Sequence, residues 1–227
     1  VVILTGTGEP IQNMNFIRFF SEVNSTLSTP FKNIELQTTG VLLNKENLAE
    51  LRELGITTIS FSISNIFDNS RNLDLIGCSE KLRFNVFDII KFAKELSFNI
   101  RLSLNLVNDF DRYSVSDVIG KCKEFGADQV TFRKLYYSNI DSEIDRWISE
   151  NSSVSFHRDL TRFIGDGNYP LLGILPFGGK IYNIEEMSVC FDDDCMSEEV
   201  KDAYKYLILR ENCKLYSRWN TKSSLIF

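Results

Sequence analysis

The sequence predicts an α/β fold built on a parallel sheet. Short apolar runs rich in Val, Ile, Leu and Phe recur at residues 1–4, 33–38, 57–63, 99–107 and 129–135. Between them lie stretches whose apolar residues repeat at i, i+3 and i+4, the period of a helix with one buried stripe. Strand and helix thus alternate through five units. Such alternation calls for parallel strands joined by right-handed crossovers, and leaves open sheet and barrel undivided.

The elements follow in order. Val1-Val2-Ile3-Leu4 reads as a buried strand. The chain enters it with no Met and no leader, which reads as a fragment of a longer protein. Residues 11–23 place Met14, Ile17 and Phe20 on one helix face. Residues 45–54 do the same with Leu48, Leu51 and Leu54, and Gly55 stands where a glycine closes a helix. Residues 85–96 carry Val86, Ile89, Ile90, Ala93 and Leu96; residues 114–125 carry Val115, Val118, Ile119, Cys122 and Phe125. Ser114 or Ser116 can cap that last helix and Gly126 closes it.

Beyond residue 138 the pattern changes. Residues 141–150 read as a short polar helix around Trp147, and a loop with Gly165, Gly167 and Pro170 follows. Strand-like runs occupy 171–175, 180–184, 187–191, 204–209 and 214–219, with Glu211-Asn212 as a hairpin turn. Three segments result: an α/β unit over 1–137, a helical linker over 138–170, and a strand-rich antiparallel appendage over 171–227.

Composition excludes several classes. With 43% hydrophobic and 25% charged residues, the chain is neither disordered nor collagen-like. No apolar run approaches the roughly 18 residues of a membrane span. A net charge of −6 argues against nucleic acid as a partner. Five cysteines, an odd number at irregular spacing and without a secretory signal, suit a reduced, cytoplasmic chain.

Ligands of parallel α/β folds bind beyond the carboxyl ends of the strands. The first strand runs into Thr5-Gly6-Thr7-Gly8-Glu9-Pro10. The glycines let backbone approach a ligand, Pro10 suits a helix start, and Glu9 offers a carboxylate to an ammonium group. A tight turn with a helix-starting acid is the plainer reading of the same residues. The second strand ends in Gln37-Thr38-Thr39-Gly40 and the third in Ser60-Phe61-Ser62-Ile63-Ser64. Alternation puts Ser60, Ser62 and Ser64 on one side, Arg101, Ser103 and Asn105 on one side of the fourth strand, and Thr131 and Arg133 on one side of the fifth. An arginine inside a parallel strand is costly unless paired, so Arg133 requires a partner or a ligand.

These residues resemble a family. Thr5-Gly6-Thr7-Gly8-Glu9-Pro10 is similar to the Gly-Gly-Glu-Pro motif of the radical S-adenosylmethionine (SAM) superfamily. Gln37-Thr38-Thr39-Gly40 resembles the Gln-Thr-Asn-Gly stretch found one βα unit later, and Ser60-Phe61-Ser62-Ile63-Ser64 resembles the next strand. Order and spacing agree over residues 1–137. The resemblance implies a partial TIM-like (β/α)6 barrel lacking its first βα unit. It implies a full-length enzyme that cleaves SAM to a 5′-deoxyadenosyl radical and abstracts hydrogen from a small-molecule or peptide substrate. An electron donor such as flavodoxin or ferredoxin would supply the reducing electron.

By the same resemblance Gly6, Thr7, Gly8, Glu9 and Pro10 would hold the SAM amino group and Thr38 would face the cofactor. Ser62 would contact its carboxylate or ribose, Ser64 stands where the family often has Asp, and Asn105 would lie near the ribose. Arg71 would reach the carboxylate, and Arg133 would face substrate or cofactor. The family's Cys-x3-Cys-x2-Cys loop, which holds its [4Fe–4S] cluster, is absent: the cysteines lie 44, 68, 5 and 18 positions apart. Its ligands are expected upstream of residue 1. The other reading open to the sequence is a non-catalytic barrel that binds a nucleotide-like ligand or a protein. A third, a barrel enzyme for phosphorylated metabolites, lacks the late glycine loop it requires. Cys190, Asp192, Asp193, Asp194 and Cys195 read as an acidic turn rather than a metal site. His157 reads as a surface helix residue.

Overall fold

A computed structural model describes residues 1–6, 8–137, 142–175, 178–192, 206–210, 212–218 and 222–226. Five βα units open the chain. β1 (Val2–Leu4) leads to α1 (Met14–Thr26), and β2 (Ile34–Thr38) to α2 (Lys45–Glu53). β3 (Thr58–Ile63) is followed by α3 (Asn69–Leu75) and α4 (Val86–Glu95), β4 (Asn99–Asn105) by α5 (Val115–Glu124), and β5 (Gln129–Arg133) by α6 (Glu143–Asn151) and α7 (Ser155–Asp166). Then come β6 (Leu171–Ile174), β7 (Lys180–Ile184), β8 (Met187–Asp192), and a short pair, β9 (Ile208–Leu209) and β10 (Leu215–Tyr216).

Among the described residues, one sheet runs in the order β1-β2-β3-β4-β5-β8-β7-β6. β1 to β5 pair in parallel, each with its sequence neighbour, as alternation predicts. The expected antiparallel strands are present: β6 pairs with β7, β7 with β8, and β9 with β10. β8 also runs parallel to β5, with Gln129 facing Ser188 and Arg133 facing Asp192. The appendage therefore continues the main sheet through one more parallel strand.

The two faces of the sheet differ in chemistry. Leu4, Ile34, Leu36, Ile59, Phe61, Ile63, Ile100, Leu102, Leu104, Val130, Phe132 and Val189 are buried and share one parity. They form a single core with Ile17, Leu48, Leu51, Ile90, Ala93, Val118, Ile119 and Leu160 of the helices. The opposite face carries Glu35, Gln37, Ser60, Ser62, Arg101, Ser103, Asn105, Gln129, Thr131 and Arg133. A sheet covered by helices on one face and polar on the other is what a barrel wall needs when its interior holds ligand rather than packed side chains.

Local chemistry fixes the helix ends. Ser114 and Asp117 form a capping box on α5, as do Asn44 and Asn47 on α2. Gly55 and Gly126 close α2 and α5 at φ 85° and 73°, a conformation other residues adopt at a cost. The stretch read as loop around Gly165 and Gly167 is different: α7 occupies it. Phe156 and Leu160, one turn apart, are buried against α5 and β5, and Gly167 is the residue that ends the helix. No helix of the described residues is long and apolar enough to cross a membrane.

Candidate functional site

The site grows from the carboxyl end of β1. Gly6 and Gly8 lead to Glu9; Thr7 lies outside the described residues. A Cβ at Gly8 would sit 3.3 Å from Gln12 Oε1, so the turn is tightly folded. Pro10 opens a 3-10 turn over Pro10–Asn13, and Asn13 caps α1 by accepting from the Phe16 N–H at 3.1 Å. Glu9 reaches across to the end of β2. The Thr38 hydroxyl donates to its Oε2; the Thr39 hydroxyl and the Thr39 N–H, the latter at 2.8 Å, donate to Oε1. A carboxylate offers about four lone-pair sites, and these bonds leave one open on Oε2. Glu9 is a fixed, directional acceptor for a cationic donor.

Thr38 shares the parity of Leu36, is buried, and accepts from the Gly40 N–H at 2.9 Å. Its described contacts are Glu9 and the backbone of its own turn, so it orients the acid. Thr39, part of the Gln37-Thr38-Thr39-Gly40 motif but given no role of its own from sequence, makes two of the three bonds that hold Glu9.

Two further predicted residues meet at the next strand ends. Asn105 donates to Ser64 Oγ at 3.3 Å, while Asn72 Oδ1 accepts from the Ser64 and Asn65 N–H groups at 2.8 and 3.1 Å. Ser62 lies one layer deeper, beside Ser103 and Thr131 in register. Arg133 is the register partner of Asn105, and its Nε is buried without a hydrogen-bond partner. Deeper still, Arg101 donates to Glu35 at 2.8 Å and to Gln129 Oε1 at 2.6 and 2.8 Å, and Gln37 donates to Glu35 at 3.0 Å.

Arg71 is held elsewhere. Its Nε donates to Asp109 Oδ2 at 2.7 Å and its Nη2 to Oδ1 at 3.4 Å, with Asn65 donating to Oδ2 at 3.2 Å. The Arg71 hydrogen bond holds the Asp109 carboxyl below its usual range, against burial, which acts to raise it. A depressed carboxyl contributes stability above its unfolded pKa, near 4, and loses it as pH falls through that value toward the folded one. Asp109→Asn is therefore expected to cost about 2 kcal/mol at pH 6 and markedly less at pH 3. Urea midpoints at the two pH values check this; an equal cost at both would remove the role given to the ion pair.

Cys78, Cys122, Cys190 and Cys213 carry reduced thiols. Cys122 is buried, and desolvation pushes its thiol up to about 12, so it is a core residue rather than a nucleophile. Among the described residues no three His, Cys, Asp or Glu side chains are grouped to hold a metal ion. Cys195, Asp193, Asp194 and the Asp192 side chain lie outside the described residues. His157 sits on α7 with its ring edge-on to Phe191, at 5.0 Å between centroids.

Two curated proteins are similar to this chain in sequence. The GTP 3′,8-cyclase of Clostridium perfringens (strain 13 / Type A) is 27% identical over 204 residues, 86% of this chain and 59% of that protein. The GTP 3′,8-cyclase of Aquifex aeolicus (strain VF5) is 30% identical over 144 residues, 63% of this chain and 42% of that protein. Among solved structures, the Escherichia coli coproporphyrinogen III oxidase HemN, described as a radical SAM enzyme, superposes with a TM-score of 0.52 at 14% identity, over 74% of this chain and 40% of that one. In sequence the chain is similar to GTP 3′,8-cyclases, and in fold to a radical SAM enzyme.

A second structure, anSMEcpe with bound AdoMet and a peptide, matches this chain with a TM-score of 0.50 at 15% identity, over 73% of this chain and 48% of the other. At such identities the two structures speak for the fold alone. No family model matches the chain. It spans roughly half the length of the curated relatives, 59% and 42%.

Proposed function

We propose that this chain forms the SAM-binding wall of a radical SAM enzyme. The carrying observation is Glu9: a carboxylate at the carboxyl end of β1, beside two glycines, fixed by Thr38 and Thr39 with one acceptor position still open. A SAM ammonium fits that position in charge and direction. Gly6, Gly8 and Pro10 shape the turn beneath it, and the Ser64–Asn105 pair with Ser62 supplies polar contacts for the ribose or carboxylate.

SAM, once reduced, supplies a radical able to abstract hydrogen; the chain's own residues bind it, orient it and keep water away. The described cysteines do not fit a [4Fe–4S] cluster, because they are not grouped. We propose that the cluster's ligands come from outside the described residues and that an electron donor such as flavodoxin or ferredoxin reduces the cluster in the full-length protein. The substrate is a small molecule or a peptide.

Glu9→Ala in the full-length protein is expected to weaken SAM binding about tenfold or more, the loss of one charge-assisted hydrogen bond. Equilibrium dialysis with labelled SAM measures it. An unchanged dissociation constant would refute the role of Glu9.

A further inference from the structure

We propose that Arg133 and Ser103 form a subsite for an oxyanion, a carboxylate or phosphate group, carried by the substrate; the assignment to substrate rests on Glu9 holding the SAM ammonium. Three arginines stand on or near the strand ends. Arg101 is bonded to Glu35 and Gln129, and Arg71 to Asp109. Arg133 has a buried Nε with no acceptor. Ser103 is 1% exposed, and its hydroxyl also lacks a partner.

Register puts these two orphaned groups together. Ser103 faces Thr131 and Asn105 faces Arg133, so Ser103 and Arg133 are diagonal neighbours on β4 and β5, on the polar face. A guanidinium can only donate, and a buried hydroxyl and a buried guanidinium Nε without acceptors are costly. Native structures retain such groups where a ligand completes them. A negatively charged, acceptor-rich group satisfies both at once, with Thr131 at its edge.

Distance assigns that group to the substrate. Glu9 is anchored at the end of β2, and Arg133 ends β5, three strands along the sheet. At about 4.8 Å per strand the separation is about 14 Å along the sheet. The ammonium and carboxylate of SAM are borne on one carbon, so a SAM held by Glu9 has its carboxylate near the ends of β2 and β3, short of β5. The competing reading is an ion pair between Arg133 and Asp192, which face each other in register.

Thermal unfolding of the full-length protein in inorganic phosphate and in acetate, each against chloride at matched ionic strength, tests the proposal. Wild type is expected to be stabilised by at least one of the two beyond chloride, and the stronger anion names the substrate group as phosphate or carboxylate. Arg133→Gln should weaken that anion about tenfold, and Ser103→Ala about threefold. In chloride alone Arg133→Gln should unfold no lower than wild type, because it removes an uncompensated charge. A lowered midpoint there shows the Asp192 ion pair instead and overturns the subsite. So does wild type that responds to neither anion beyond chloride. SAM affinity of Arg133→Gln should stay within about twofold of wild type, since the subsite makes no hydrogen bond to the cofactor; a tenfold loss gives the arginine to the cofactor and overturns the assignment to substrate. Failure of the Glu9→Ala test would remove the SAM reading while leaving the anion titration to stand or fall by itself.

Discussion

Phe61→Ala is expected to cost about 3–5 kcal/mol, a large part of the roughly 5–15 kcal/mol that holds a domain folded. Phe61 is fully buried at the middle of β3, flanked in register by Thr38 of β2 and Leu102 of β4. Truncation removes the ring's transfer free energy and leaves a cavity, because parallel strands hydrogen-bonded on both sides cannot close over the gap. Phe61→Leu keeps most of the volume and should cost about 1 kcal/mol. Urea denaturation followed by circular dichroism gives both values from the shift in midpoint at constant slope. A cost below 1 kcal/mol for Phe61→Ala would mean that β3 does not sit at the centre of the core.

The second large effect lies on the other face of the same sheet. Glu35 is 2% exposed and accepts from both Arg101 and Gln37. Glu35→Ala leaves the Arg101 guanidinium with Gln129 Oε1 as its remaining bonded acceptor, so a half-buried positive charge loses its counter-charge. The expected loss is about 3 kcal/mol. The double change Glu35→Ala with Arg101→Met should recover most of it, because the cost lies in the stranded charge rather than in the absent bond. A double variant as unstable as Glu35→Ala alone would show that Glu35 matters for its shape and not for the pair.

The sequence was most legible where burial follows a period. β1 to β5 and the apolar stripes of α1, α2, α4 and α5 stand where apolar spacing put them, because each buries one face of fixed repeat. α7 was hidden by composition: Gly165, Gly167 and Pro170 suggest a loop, while only Phe156 and Leu160 of the helix are fully buried among polar neighbours. α3 escaped for a different reason. Its key buried residue is Asn72, which is held by accepting two backbone N–H groups at the end of β3, and a polar anchor leaves no hydrophobic period.

The candidate site divides in the same way. Glu9 and its glycines are local, and local spacing exposed them. Thr39 and Asp109 act through partners 30 and 38 positions away, which no window of sequence brings together. The Arg133 dilemma, partner or ligand, was legible from strand parity alone. The subsite proposed for it draws on Ser103, a buried serine of ordinary appearance.

The route from β5 to β8 has an evolutionary consequence. Gln129 faces Ser188, 59 positions onward, whereas Glu35 faces Thr58 after 23. Loop-closure entropy grows with the logarithm of length, so this longer excursion costs only about 0.8 kcal/mol more. Doubling it again would add about 0.6 kcal/mol. The segment carrying α6, α7 and the β6–β7 pair can therefore be lengthened or reshaped at little entropic cost, provided Phe156 and Leu160 of α7, Ile184 of β7 and Val189 of β8 still reach the core. Selection can reshape that excursion to suit new molecules without disturbing the first five strands.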